Sequence, residues 1–192
     1  MILLPYLILA HLLGDFVFQP TRLVMWKIKS KKGVLVHVLV HFFTMIVILS
    51  PFIWVGYYEV ILAALGISFI HFWIDEAKIN FDLKHDTKVL PFLIDQLLHI
   101  TTIAIAVAFM SSFTFIFPKT TVFAIYTDIN TINFVSFLVF ASSVIEIYKF
   151  QKKREKDKNA RLQVKTSKML SRVMIFTILY AFFIIIFSAI NY

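Results

Sequence analysis

The chain has 192 residues, 60% of them hydrophobic and only 16% charged, which is too apolar for an ordinary soluble domain and points to a bilayer. Cysteine is absent, so disulfides, thiolate catalysis and thiolate metal sites are excluded, and oxygen and nitrogen donors remain. The net charge of +8 is concentrated mostly in one connection, where KKREKDKNAR mixes signs and lacks aromatics, which argues against specific RNA or DNA binding.

A helix needs about 20 mostly apolar residues to cross the hydrocarbon core, and such runs predict spans near 2–22, 34–55, 58–77, 89–117, 132–150 and 170–190. No positive charge precedes the first run and no small-x-small site follows it, so it reads as a retained helix, not a cleaved signal. It carries His11, Asp15 and Gln19 in HLLGDFVFQ, four residues apart. Gly14 reads as a point of close helix approach. The following connection holds Arg22, Lys27, Lys29, Lys31 and Lys32. The second run carries His37 and His41 in HVLVH, and the third His71 and Asp75 in HFWID. After Lys78, Lys84, a solvated His85 and Lys88, the fourth run brings Asp95, Gln96 and His99 in DQLLH. It is long enough to be tilted. The last two runs lack a comparable pair and flank a basic connection at 149–172.

Cytoplasmic connections hold the lysines and arginines, and alternate connections here contain five, three and ten of the 19, leaving Lys119 alone on the other side. The expectation is an all-α, polytopic membrane bundle of about six transmembrane helices, multi-pass in a cell membrane, with both termini outside the cytoplasm. It is one membrane domain over 1–192: a four-helix metal-site half at 1–117, and two further helices at 118–192 with the basic cytoplasmic loop between them. That loop suits anionic lipids or a cytosolic protein, no nucleic-acid partner is expected, and a homo-oligomer is compatible.

Residues i and i+4 stand one above the other on a helix, so each His/Asp or His/His pair presents two ligating groups in one direction. A rise of 1.5 Å per residue puts the four pairs roughly 8 to 10 Å below the cytoplasmic edge, in one slab. An aspartate at mid-membrane costs about 2.5 to 3.5 kcal/mol, and three of them call for compensation. A divalent cation supplies it, and imidazole with carboxylate suits zinc first, with manganese or iron as alternatives, as one or two ions. The expected metal ligands are His11, Asp15, His37, His41, His71, Asp95 and His99. Asp75, taken as nearest the aqueous face, and Asp15 are the catalytic candidates, with Gln19 and Gln96 orienting a ligand or substrate. Helix-to-helix hydrogen bonding without a metal is the plainer alternative, but serine or asparagine would provide it at lower cost.

HLLGDFVFQ, HVLVH, HFWID and DQLLH together resemble the bacterial membrane family catalogued as domain of unknown function 3307, over roughly residues 5 to 100. These motifs are also similar in kind to those of inner-membrane proteins labelled metal-dependent hydrolases. The resemblance supplies no activity, so the expected function rests on the residues. It is a metal-dependent hydrolase acting on a lipid or polyprenyl headgroup ester or phosphoester from the cytoplasmic leaflet. The alternative is a divalent-cation or proton-coupled transporter using the same cluster, with Thr101, Thr102, Ser111, Ser112 and Thr114 lining an outward path. A haem or di-iron protein and a membrane anchor are more distant readings. No G-x-S-x-G elbow is present.

Overall fold

Pro20 interrupts the first apolar run. The computed structural model describes residues 2–157 and 166–190, so residues 158–165 of the expected basic loop lie outside the described residues. Helix α1, Leu3–Phe16, stops where the amides of Val17 and Phe18 both return to the carbonyl of Leu13. Proline has no N–H and forces the residue before it out of helical geometry, so the chain restarts at α2, Thr21–Lys29, turned by 85°. The single span expected at 2–22 is therefore a bent pair.

Ser30 ends α2 and caps α3, Lys31–Ile48, accepting the Gly33 amide at 3.2 Å. A Cβ on Gly33 would collide with the backbone carbonyl of Trp26 and amide of Lys27, so this glycine is what lets α2 fold flat against the start of α3. Short α4, Ser50–Trp54, leads through Gly56, whose φ of +100° favours glycine, into α5, Glu59–Lys84. Helix α6, Val89–Phe109, ends in a 3-10 turn at Met110–Ser112, short of the expected limit at 117. Next come α7, Thr121–Thr127, and α8, Ile129–Val139, which runs through a π-helical turn at Phe140–Val144 into α9, Ile145–Lys156. Asp128 caps α8, taking the amides of Asn130 and Thr131 and the Thr131 hydroxyl, and these bonds hold its carboxyl below the usual range. Helix α10 is Thr166–Ile190.

Among the described residues no strand occurs, and four helical stretches are long and apolar enough to cross a membrane: α3, α5, α6 with its turn, and α8 with α9. The bent pair would make a fifth, and α10 contributes a shorter apolar stretch at Leu170–Phe183. Side chains such as Val47, Leu62, Phe69 and Phe109 point outward at 67% exposure or more, which water would not tolerate over so large a surface.

Helices α1, α3, α5 and α6 close a ring, each packed on the next, with α8 laid against the outside of α1 and α10 against α8. Buried residues recur at helical spacing, as in Asp95, His99, Ile103 and Val107 of α6. Each helix is apolar at one end and polar at the other, and because the chain reverses between helices, like ends meet. Tyr6, Leu7, Met45, Leu49, Val60, Ala64 and Val107 fill the apolar storey. An aromatic group closes it, with Phe52 edge-on to Tyr6, Phe115 and Phe117. The Tyr6 hydroxyl donates to the Tyr126 carbonyl at 2.5 Å, and the Tyr126 hydroxyl to Ile48 at 2.8 Å.

Candidate metal centre

The opposite storey holds the charged and imidazole groups. His11, His37, His41, His71, Asp75, Asp95 and His99 are all buried, and Asp15 is nearly so. All eight project inward from the four ring helices because each lies on its helix's buried stripe.

Asp15 is the hub. Its Oδ1 lies 3.1 Å from His37 Nε2 and 3.0 Å from His41 Nε2, and His37 Nε2 is 3.3 Å from His71 Nε2. Ligand atoms from Asp15, His37, His41 and His71 all fall within 4.8 Å of one another. Ligands about 2.0 to 2.1 Å from an ion stand roughly 3 to 4 Å apart, so one carboxylate and three imidazoles gathered this closely are near enough to share one ion. A buried His/Asp group that could hold a metal ion is thus present. Gly14 makes room for it, since a Cβ there would lie 2.5 to 2.7 Å from three atoms of the His41 ring.

A second group, His71, Asp75 and His99, shares His71 with the first. His71 and His99 stack with ring centroids 4.0 Å apart, and His99 Nε2 is 3.5 Å from Asp95 Oδ1. Among the described residues His99 Nε2, Asp95 Oδ1 and Asp75 Oδ2 are buried with ion-pair contacts but without well-aligned hydrogen bonds.

The remaining expected residues fall around these two groups. His11 lies 3.7 Å from Asp15 and donates to Gln96 Oε1 at 3.2 Å, which places it beside the four-residue set. The Gln96 amide nitrogen donates to Asp15 at 3.2 Å and Asp95 at 3.1 Å, joining both groups. Gln19 is not on the α1 face shared by His11 and Asp15, because the helix has ended; from the break, its side-chain amide still lies 3.0 Å from His37 Nδ1. Such partners of the distal imidazole nitrogen fix ring orientation. His85 is exposed and stacked on Phe81, away from the cluster.

The structure adds two features to the sequence reading. Asp75, taken as nearest the aqueous face, is 4% exposed, because α2 folds over it. Lys27, read only as one of the basic residues of the first connection, reaches inward, with its Nζ 2.8 Å from Asp75 Oδ2. The signal that could have found it was Pro20, which breaks the helix and turns the next seven residues back over the polar end. Lys78 was likewise read only as an orientation charge, yet with Asp95 it lines a cavity of about 210 Å³ between α5 and α6.

No curated protein matches the chain, and no solved structure matches it. A family model does match residues 3–126, which take in all four ring helices and every residue of the His/Asp cluster. The chain therefore belongs to the family described as Protein of unknown function (DUF3307).

Proposed function

We propose that the chain is an integral membrane metalloprotein of about six transmembrane helices, with both termini outside the cytoplasm. In this reading it hydrolyses an ester or phosphoester in a lipid or polyprenyl headgroup presented from the cytoplasmic leaflet of the cell membrane. The observation that carries the reading is the convergence of ligand atoms from Asp15, His37, His41 and His71 to within 4.8 Å of one another in the interior of the bundle.

A divalent ion held there, zinc by preference, would supply Lewis acidity toward an ester or phosphoryl oxygen and would lower the pKa of water toward neutrality, which requires that the site stay open to a further ligand beyond the protein side chains. The chain's own residues do the rest. Gln19 and Gln96 orient His37 and Asp15. Asp75 is tied to Lys27, which leaves Asp95, facing His99 at 3.5 Å and lining the cavity between α5 and α6, as the better-placed general base to take a proton from water.

The cavity between α5 and α6 supports an amphiphilic substrate. Ile74, Phe81, Leu90, Ile94 and Leu98 make its walls apolar, Asp95 connects it to the cluster, and Lys78 offers a positive charge to an anionic headgroup. An apolar tail lying in this groove would bring its headgroup to the site. A carrier using the same residues gains no comparable support. The aromatic group around Phe52 fills the far end, Thr101 and Thr102 bond their own helix at Leu97 and Leu98, and Ser111, Ser112 and Thr114 are exposed.

The test is to load purified protein with zinc and offer it vesicles carrying phosphatidic acid or a polyprenyl diphosphate. Metal-dependent release of the headgroup or phosphate is expected, and it should be lost in His37→Ala and Asp95→Ala. Bound metal with every such substrate left intact would overturn hydrolysis while leaving the metal site standing.

A further inference from the structure

Resting on that metal reading, we infer that the polar storey holds a single divalent ion, seated on Asp15, His37, His41 and His71, and that the Lys27 ammonium fills the place of a second cation beside Asp75. Eight clustered imidazoles and carboxylates could in principle serve two ions. Geometry, connectivity and charge each favour one.

Lys27 Nζ sits 2.8 Å from Asp75 Oδ2, with only 11% of the lysine side chain and 6% of the aspartate side chain exposed. This is not a surface pair. Arg22 and Lys29, the other basic residues of α2, are exposed, so one lysine of the helix is singled out and turned inward. Its position is enforced from outside the site, by the Ser30 cap and by the contact between Gly33 and the Trp26–Lys27 backbone.

The two potential ligand groups also overlap. His71 Nε2 faces His37 Nε2 at 3.3 Å and Asp75 Oδ2 at 3.4 Å, and one nitrogen lone pair serves one ion. With His71 committed to the first ion, the second position retains Asp75, His99 and Asp95, and Lys27 already lies against Asp75.

Charge completes the case. Ligating imidazoles are neutral, so the storey carries the three negative charges of Asp15, Asp75 and Asp95 against the one positive charge of Lys27. Lys78, which lines the cavity beside Asp95, is offset by Asp82 at 3.5 Å, so this pair adds no net charge to the count. One divalent ion makes the storey neutral. Two would leave a net positive charge of two in a low-dielectric interior, where uncompensated charge is costly.

The experiment is metal counting on the full-length protein in detergent, loaded separately with Zn2+ and Mn2+ and desalted. Wild type is expected to retain one ion per chain and to give the electron paramagnetic resonance signal of an isolated Mn2+. Lys27→Met and Lys27→Gln, the latter keeping a hydrogen-bond donor, are expected to rise toward two ions at saturation, and Lys27→Arg to stay at one. Two ions or a spin-coupled manganese pair in wild type would overturn the inference whatever the variants do, and leave the metal reading intact. Folded Lys27→Met and Lys27→Gln proteins that remain at one ion would overturn it as well. Wild type with no retained ion would remove the metal reading itself.

Discussion

Gly14 and Gly66 are both helical glycines, yet replacing them should have opposite effects. A Cβ at Gly14 would press on three atoms of the His41 ring, and the ring can yield only by leaving its 3.0 Å contact with Asp15. Gly14→Ala should therefore weaken metal binding about 10- to 100-fold, the usual consequence of disturbing the partners that hold a ligand, and cost about 1 to 3 kcal/mol through overpacking. Competition with a chromophoric chelator measures the first effect and denaturation in detergent the second. At Gly66, on α5, a Cβ meets nothing within 4 Å, so Gly66→Ala should gain up to about 1 kcal/mol from helix propensity and leave metal affinity unchanged. Gln96→Leu is the complementary case. It removes the amide that donates to Asp15 and Asp95 and accepts from His11, without filling the ligand position itself. An affinity loss of about 10- to 100-fold with helicity retained is expected.

Among the elements, α2 is the one whose placement the site depends on and whose role the sequence hid. The i, i+4 pairs were legible because a polar residue in an apolar helix stands out and its depth follows from the rise per residue. His11, His37, His41, His71, Asp95 and His99 accordingly lie where their spacing put them, all buried at one end of the ring. Lys27 was not legible, because a lysine among basic residues just beyond a span satisfies the orientation rule and raises no question. Its inward turn comes from tertiary packing of α2 on α3. Gly33→Ala tests that packing, since the clash is with backbone, which cannot rotate away as a side chain can. The variant should lift α2, withdraw Lys27 from Asp75 and change the fluorescence of Trp26. An unchanged Trp26 spectrum together with wild-type stability would show that α2 is not held by this contact. The cap of α8 is a simpler element: Asp128→Ala removes an acceptor for two amides and should cost about 1 kcal/mol, read as a lower thermal midpoint.

For the molecule as a whole, the segregation of apolar and polar storeys ties stability to the ion. The apolar storey is closed by Tyr6, Phe52 and Tyr126 and contains none of the clustered imidazoles and aspartates. The polar storey has two buried aspartates, Asp75 and Asp95, a nearly buried Asp15 and an inward-turned Lys27, a deficit of positive charge that water relieves poorly once α2 covers it. Whatever binds the folded site and not the unfolded chain stabilises by RT ln(1 + [L]/Kd), about 2.7 kcal/mol at a hundredfold excess over Kd. Chelation of the purified protein should therefore lower the thermal midpoint by several degrees, and added Zn2+ should restore it in a concentration-dependent way. In His41→Ala, which removes a ligand next to Asp15, chelator and Zn2+ should both lose most of their effect, while Asp128→Ala should respond like wild type from a lower starting point. A wild-type midpoint indifferent to chelator and to Zn2+ would mean that hydrogen bonds among the imidazoles and carboxylates suffice to stabilise the storey, as polar contacts between membrane helices can.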